Sequence, residues 1–236
     1  MAFKDMRAFL AHLEKIGQLK TVDTPFKARR GDTELQALMR YLCDKNGPGL
    51  ILNNVDGPNL KGVPLVFNPF GTRERAAMTV GRNTWLEAKV HHADVLNDPS
   101  RWIAPKLVER SQAPCKDVVI KDIALDEQLP HVWFGKEGPS YLTNAITFSR
   151  DPETGERNVG WYRFTQFLDA THPLGGTYPP NRQKTDLAAF YWWQPPMSDI
   201  GRHVFKASLQ KKHLEVAIAC SADPALHIAA ATGMIG

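Results

Sequence analysis

Within this 236-residue chain, the stretch Ser149–Phe164, SRDPETGERNVGWYRF, constrains the fold most. Asp151-Pro152-Glu153-Thr154-Gly155 sets a residue that fixes φ shortly before one that tolerates positive φ. The flanking segments therefore fold back on one another as a hairpin. Beyond the turn, Asn158 and Arg163 stand five positions apart. Side chains alternate along a strand, so odd spacing sends these two to opposite faces. They share one site only if the backbone bulges near Gly160 or a ligand wraps the strand. On spacing alone, the simpler account is an ordinary hairpin carrying a solvated Arg.

Upstream of the hairpin the pattern is mixed. Residues 5–17 place Phe9, Leu10, Leu13 and Ile16 at helical spacing, with Asp5 as cap and Gly17 as stop. Asp32–Cys43 repeats that spacing through Leu35, Leu38, Met39 and Leu42. Strands are predicted at 49–56 and Val63–Asn68, and helices at Arg73–Val80 and Leu86–Leu96. This predicts an α/β domain over residues 1–105. A polar connector bounded by Pro99 and Pro114 marks the boundary, and a second domain spans 115–236. There the spacing predicts strands at Val118–Ile120, Leu142–Ser149, Val159–Leu168, Ala189–Trp193 and Leu214–Cys220, with helices at Asp199–Lys212 and Pro224–Ala231. The loop His172–Lys184, rich in Pro and Gly, reads as irregular.

Composition excludes several partners. No apolar run approaches the ~18–20 residues that cross a bilayer, and the charged N-terminus is not a signal peptide. The expectation is a soluble, cytoplasmic protein. The three cysteines, Cys43, Cys115 and Cys220, form neither a disulfide framework nor a CxxC metal knot, and at least two are expected to be buried thiols. The net charge of +4 is carried by scattered basic residues without aromatic interleaving, so a nucleic-acid platform is not expected. His91-His92 lacks metalloprotease context, and Cys220 has no His placed to activate it.

Several blocks taken in order resemble the UbiD family of decarboxylases, which use prenylated flavin mononucleotide. They are Lys4–Leu10, Gly47–Leu50, Asn53–Gly57, Asn68–Arg75, the Ser149–Phe164 stretch and Ala222–Ala225. The resemblance implies an α+β fold, an N-terminal α/β domain followed by an incomplete flavin-binding split β-barrel. It also implies a carboxy-lyase acting on an aromatic or α,β-unsaturated carboxylic acid, in either direction. Implied cofactors are prenylated FMN, Mn²⁺ and K⁺, with a flavin prenyltransferase as the source of the flavin. Arg163 matches the catalytic Arg, which grips the substrate carboxylate. Trp161, Tyr162 and Arg163 match the segment lining the flavin, and Thr143, fifteen residues before Asn158, falls where a family Thr approaches it.

Asn158 matches a metal ligand, an amide oxygen suited to Mn²⁺ or Mg²⁺. The next ligand in the family is a His, but counting back 25 positions from Asp223 lands on Ser198. A shifted alignment makes His203 that ligand instead. Family members are about twice as long, and the acids used for metal binding and proton transfer match nothing here. The chain alone is therefore expected to be inactive, working in a homo-oligomer or with a complementary C-terminal UbiD-like chain. The alternative is a non-catalytic partner-binding subunit or an inactive fragment. An incomplete barrel leaves an open strand edge, which something must cover.

Overall fold

Helix α1 (Met6–Lys15) starts where Asp5 Oδ1 accepts the Ala8 N–H at 2.8 Å, and it stops at Gly17, whose φ is +71°. The computed structural model that shows this describes residues 2–121, 123–130, 132–135, 140–142, 144–166, 186–189, 191–192 and 197–232. Phe9 and Leu13 of α1 are fully buried and, with Leu19, form one small core. Strands β1 (Leu19–Val22), β2 (Phe26–Lys27), β3 (Gly49–Leu52), β4 (Val55–Asp56) and β5 (Leu65–Phe67) alternate with helix α2 (Glu34–Asp44). They form a three-stranded sheet in the order β1-β3-β5, β3 being parallel to β1 and antiparallel to β5. A short parallel pair, β2-β4, lies beside it in the chain order. Leu35 and Leu42 from α2 pack with Leu50, Leu52 and Phe67 in a second core. Helices α3 (Arg73–Met78) and α4 (Trp85–Asn97) follow, the latter opened by a capping box between Thr84 and Glu87.

From Trp102 to Lys121 the chain forms no strand. Val118–Ile120, predicted as a strand from its β-branched run, is irregular and exposed. Without a neighbouring strand, β propensity does not hold an extended segment in a sheet. Helix α5 (Leu125–Gln128) then leads back onto the first layer. Trp133 N–H donates to Ala28 O at 3.1 Å, Gly135 N–H donates to Asp32 O at 2.9 Å, and Phe134 stacks on Phe67.

Strands β6 (Tyr141–Leu142), β7 (Ala145–Arg150), β8 (Arg157–Trp161), β9 (Phe164–Gln166), β10 (Leu187–Ala189) and β11 (Val216–Cys220) make two open three-stranded sheets. Their orders are β11-β7-β8 and β10-β9-β6, and every pairing is antiparallel. The fold is mixed α and β, and no closed barrel forms among the described residues. Helix α6 (Asp199–Leu209) covers one face of the β7–β8 hairpin, and α7 (Pro224–Thr232) packs Ala230 and Leu226 against Ile146 and Val159 on the other. The single strand predicted over Val159–Leu168 is two strands in different sheets. All three cysteines are exposed, which corrects the expectation of buried thiols: Cys43 is on α2, Cys115 in the irregular segment and Cys220 on the edge strand β11. No described helix is long and apolar enough to cross a membrane.

Candidate functional site around the Asn158 strand

The DPETG turn is fixed by its own first residue. Asp151 Oδ1 accepts the N–H groups of Glu153 and Thr154 at 2.8 and 3.2 Å, and Gly155 takes a φ of +77° that suits only glycine well. The other carboxylate oxygen, Oδ2, accepts from Lys206 Nζ of α6 at 2.7 Å. Lys206 also pairs with Glu153 at 2.9 Å, so one cation on α6 clips the helix to the turn. The Lys206 hydrogen bond, helped by the two backbone donors, holds the Asp151 carboxyl far below the ordinary carboxylate range.

This register lines up one polar face. Ser149 lies opposite Asn158 and Thr147 opposite Gly160, so all four share the face covered by α6. Asn158 is 7% exposed, and among the described residues its carboxamide makes one hydrogen bond, from Nδ2 to Tyr162 Oη at 3.5 Å. Tyr162 folds back over Gly160. A Cβ at Gly160 would stand 2.6 Å from the Tyr162 ring, so only glycine admits this approach. The same hydroxyl accepts from Ile200 N–H of α6 at 3.4 Å.

His203 reaches the face from α6 and is 4% exposed. Its Nδ1 lies 3.0 Å from Ser149 Oγ, while Nε2 faces Asp151 Oδ2 at 3.8 Å, too far for a hydrogen bond. Burial outweighs the attraction of Asp151 and lowers the imidazole pKa, which favours the neutral ring that metals bind. Ser198 is spent locally: its Oγ accepts from Gly201 N–H at 3.3 Å as the cap of α6 and donates to Trp192 O at 3.0 Å. The structure thus brings Asn158 and His203 to Ser149, with Tyr162 beside Asn158.

Arg163 is held elsewhere. The ladder breaks at Tyr162–Arg163, and the chain passes from the β7–β8 sheet to the β6–β9 sheet. The Arg163 guanidinium lies 5.7 Å over the ring of Tyr141 on β6. The geometry is a crossing between sheets rather than a bulge at Gly160. Trp161 points to the opposite face, edge-on to His227 of α7 at 5.5 Å. Thr143 lies outside the described residues.

Several polar groups escaped the sequence reading. Thr147 and Thr165 are buried, and neither hydroxyl has a hydrogen-bond partner among the described residues. His227 is 1% exposed and wedged between Trp161 and Phe70; neither ring nitrogen makes a well-formed hydrogen bond among the described residues, and burial lowers its pKa against a smaller opposing pull from the Ala222 backbone. The alternating Thr147 and Ser149 in the apolar strand AITFSR were the readable signal for a polar inner face. No group of three or more His, Cys, Asp or Glu side chains is placed to hold a metal ion among the described residues.

Comparison with known proteins agrees with this architecture. Residues 10–90 match the N-terminal domain, and residues 106–235 the Rift-related domain, of UbiD, 3-octaprenyl-4-hydroxybenzoate carboxy-lyase. Vanillic acid decarboxylase from Sedimentibacter hydroxybenzoicus (ShVdcCD, closed form) superposes with a TM-score of 0.76 at 27% identity, over 98% of this chain and 45% of that one. An evolved dimeric form of the UbiD-class enzyme HmfF from Pelotomaculum thermopropionicum, in complex with prFMN, gives 0.73 at 25% identity, over 96% and 46%. The uncharacterized protein sll0936 of Synechocystis sp. is 29% identical over 254 residues, 97% of this chain and 45% of that protein. This chain therefore spans rather less than half the length of the relatives it matches. With both domain matches in chain order and covering most of its residues, the chain belongs to the UbiD family.

Proposed function

We propose that this chain is one part of a UbiD-like non-oxidative decarboxylase or carboxylase acting on an aromatic or α,β-unsaturated carboxylic acid through prenylated FMN. Residues 1–105 form its N-terminal domain and 115–236 part of its flavin domain. The acidic catalytic residues come from another chain, or from sequence beyond this one. The observation that carries the reading is the polar face of the β7–β8 hairpin, where Asn158 of the family's motif and His203 of α6 both meet Ser149.

The donor set fits a divalent cation such as Mn²⁺. Asn158 offers a neutral, hard oxygen, and His203 offers Nε2 while Ser149 orients the ring through Nδ1, as a supporting hydroxyl does behind a ligating His. With these two donors from this chain, the remaining ligands would have to come from the cofactor or the complementary part. K⁺ would sit nearby. When bound, the flavin would accept the electron density released as CO₂ leaves. Trp161 and Tyr162 would line it, with Thr143.

Arg163 would hold the substrate carboxylate. Arg163 sits over the Tyr141 ring at 5.7 Å, and a guanidinium's N–H edge is the part a carboxylate engages in a bidentate pair. That grip orients the C–CO₂ bond without contributing a proton. The free thiols fit a reducing, cytoplasmic compartment.

Ser198 favours a second reading. Its hydroxyl is engaged in capping α6 where the family has a ligating His, which fits a non-catalytic subunit that keeps the fold to bind a partner. One experiment separates the two. This chain is combined with the complementary C-terminal polypeptide and mature cofactor, and CO₂ release is followed. Turnover that disappears in Arg163→Ala, with flavin retained, supports the enzyme. A stable complex indifferent to both Asn158→Ala and Arg163→Ala supports the subunit.

A further inference from the structure

The segment from Trp102 to Lys121 carries large apolar side chains that the described fold leaves in solvent. Ile103 is 93% exposed, Leu107 90% and Val118 78%, and Trp102, Val119 and Ile120 are each more than half exposed. The segment is nonetheless shaped. Trp102 Nε1 donates to Val95 O of α4 at 2.7 Å, which pins its start, and single 3₁₀ turns at Arg110–Gln112 and Pro114–Lys116 fold its middle. Large apolar side chains this exposed, grouped at both ends of one shaped segment, mark a surface made to be covered.

Two observations choose the occupant. Relatives with the same fold over this whole chain are more than twice as long, so a second block of comparable size belongs beside it. Residues 101–121 carry five Lys or Arg against two Asp or Glu, on a chain that is itself net positive. Two copies meeting through this strap would juxtapose like charge, which opposes self-pairing. We propose that the strap at Trp102–Lys121 is the docking surface for the polypeptide that supplies the second half of the enzyme, joined to this chain or separate, through an apolar face with an acidic rim. This rests on the reading of the chain as one part of a larger decarboxylase.

The chain carries its own reporters. Cys115 lies in the strap, and Cys43 on α2 outside it; both are exposed. Alkylation is timed at each cysteine by peptide mass spectrometry. The protein from its natural source, with whatever polypeptide is joined to it or co-purifies, is compared with this chain alone. Labelling of Cys115 is expected to slow at least tenfold in the larger species while Cys43 is unchanged. Equal rates at Cys115 in both samples overturn the proposal. A 26.4 kDa chain without a partner in its source overturns it too, as does protection of Cys115 in a homodimer of this chain.

Ile103→Asp with Leu107→Asp gives a second arm. Both side chains are almost wholly exposed, so the free chain should fold as before, and the complex should weaken by roughly tenfold or more as carboxylates enter an apolar contact. Unchanged affinity refutes the surface. Turnover is read separately. A complex that protects Cys115 and releases no CO₂ sinks the enzyme reading and leaves the surface standing; turnover with Cys115 fully reactive does the reverse.

Discussion

Ser149→Ala tests the polar face most directly. The hydroxyl is 5% exposed and lies 3.0 Å from Nδ1 of an equally buried His203. Its removal leaves a ring nitrogen in a dry site with no replacement partner, a cost of about 1–3 kcal/mol. The cavity left by one oxygen adds little. In urea the unfolding midpoint should fall by roughly 0.5–1 M, with the slope unchanged because the surface exposed on unfolding is the same. If His203 ligates through Nε2, loss of the supporting hydroxyl should also weaken Mn²⁺ binding by about 10–100-fold, read by paramagnetic resonance of free Mn²⁺. Ser149→Thr keeps the hydroxyl and should recover most of both effects. A midpoint within about 0.2 M of the parent, with unaltered Mn²⁺ affinity, would show that the Ser149–His203 contact does neither job.

Three further outcomes are expected. His203 and His227 both have lowered pKa values in the fold, so the unfolded chain binds protons that the folded one refuses. Stability should therefore fall as pH drops below about 6.5, with a slope approaching ~1.4 kcal/mol per pH unit for each histidine, and His227→Phe should flatten it in denaturant titrations across pH. Gly160→Ala places a methyl into the Tyr162 ring and should destabilise by about 1–3 kcal/mol, largely relieved in combination with Tyr162→Ala. Lys206→Met removes the cation that depresses Asp151. Stability that the parent holds above about pH 4 and loses on further acidification should then be smaller throughout, and its acid-side decline shallower in a circular-dichroism titration.

What was legible in the sequence is what local chemistry decides. Asp5, Gly17 and the spacing of Phe9 and Leu13 fixed α1 because caps and periodicity act within a few residues. The DPETG turn fixed the β7–β8 register in the same way. Val118–Ile120 misled because β-branched residues show where a strand could form, not whether a neighbour is there to pair with it. The run Val159–Leu168 misled for a related reason. Nothing in its alternation reveals that the partner changes from β7 to β6 and β10 partway along. The grouping of Asn158 with His203 came from the family resemblance alone and not from local pattern, since they lie 45 positions apart and meet through Ser149.

That change of partner bears on which polar groups this fold satisfies by itself. The charged and capping groups near Asn158 satisfy one another within this chain: Asp151 with Lys206, Ser149 with His203, Ser198 with the first turn of α6. The unpartnered groups are different in kind. Thr147 on β7 and Thr165 on β9 lie one on each sheet, on either side of the Tyr162–Arg163 crossing, with buried hydroxyls that no described residue meets. A buried hydroxyl without a partner costs about 1–3 kcal/mol, so each is a place where a ligand's oxygen or a bound water would be stabilising. Arg163, between them in the chain, carries the charge that a carboxylate would seek. A hairpin with its charged and capping groups paired and two hydroxyls left over beside the sheet crossing can stand empty and still gain from being filled. Flavin loading should then raise the urea midpoint of the parent by more than that of Thr147→Val, and equal gains would remove Thr147 from the site.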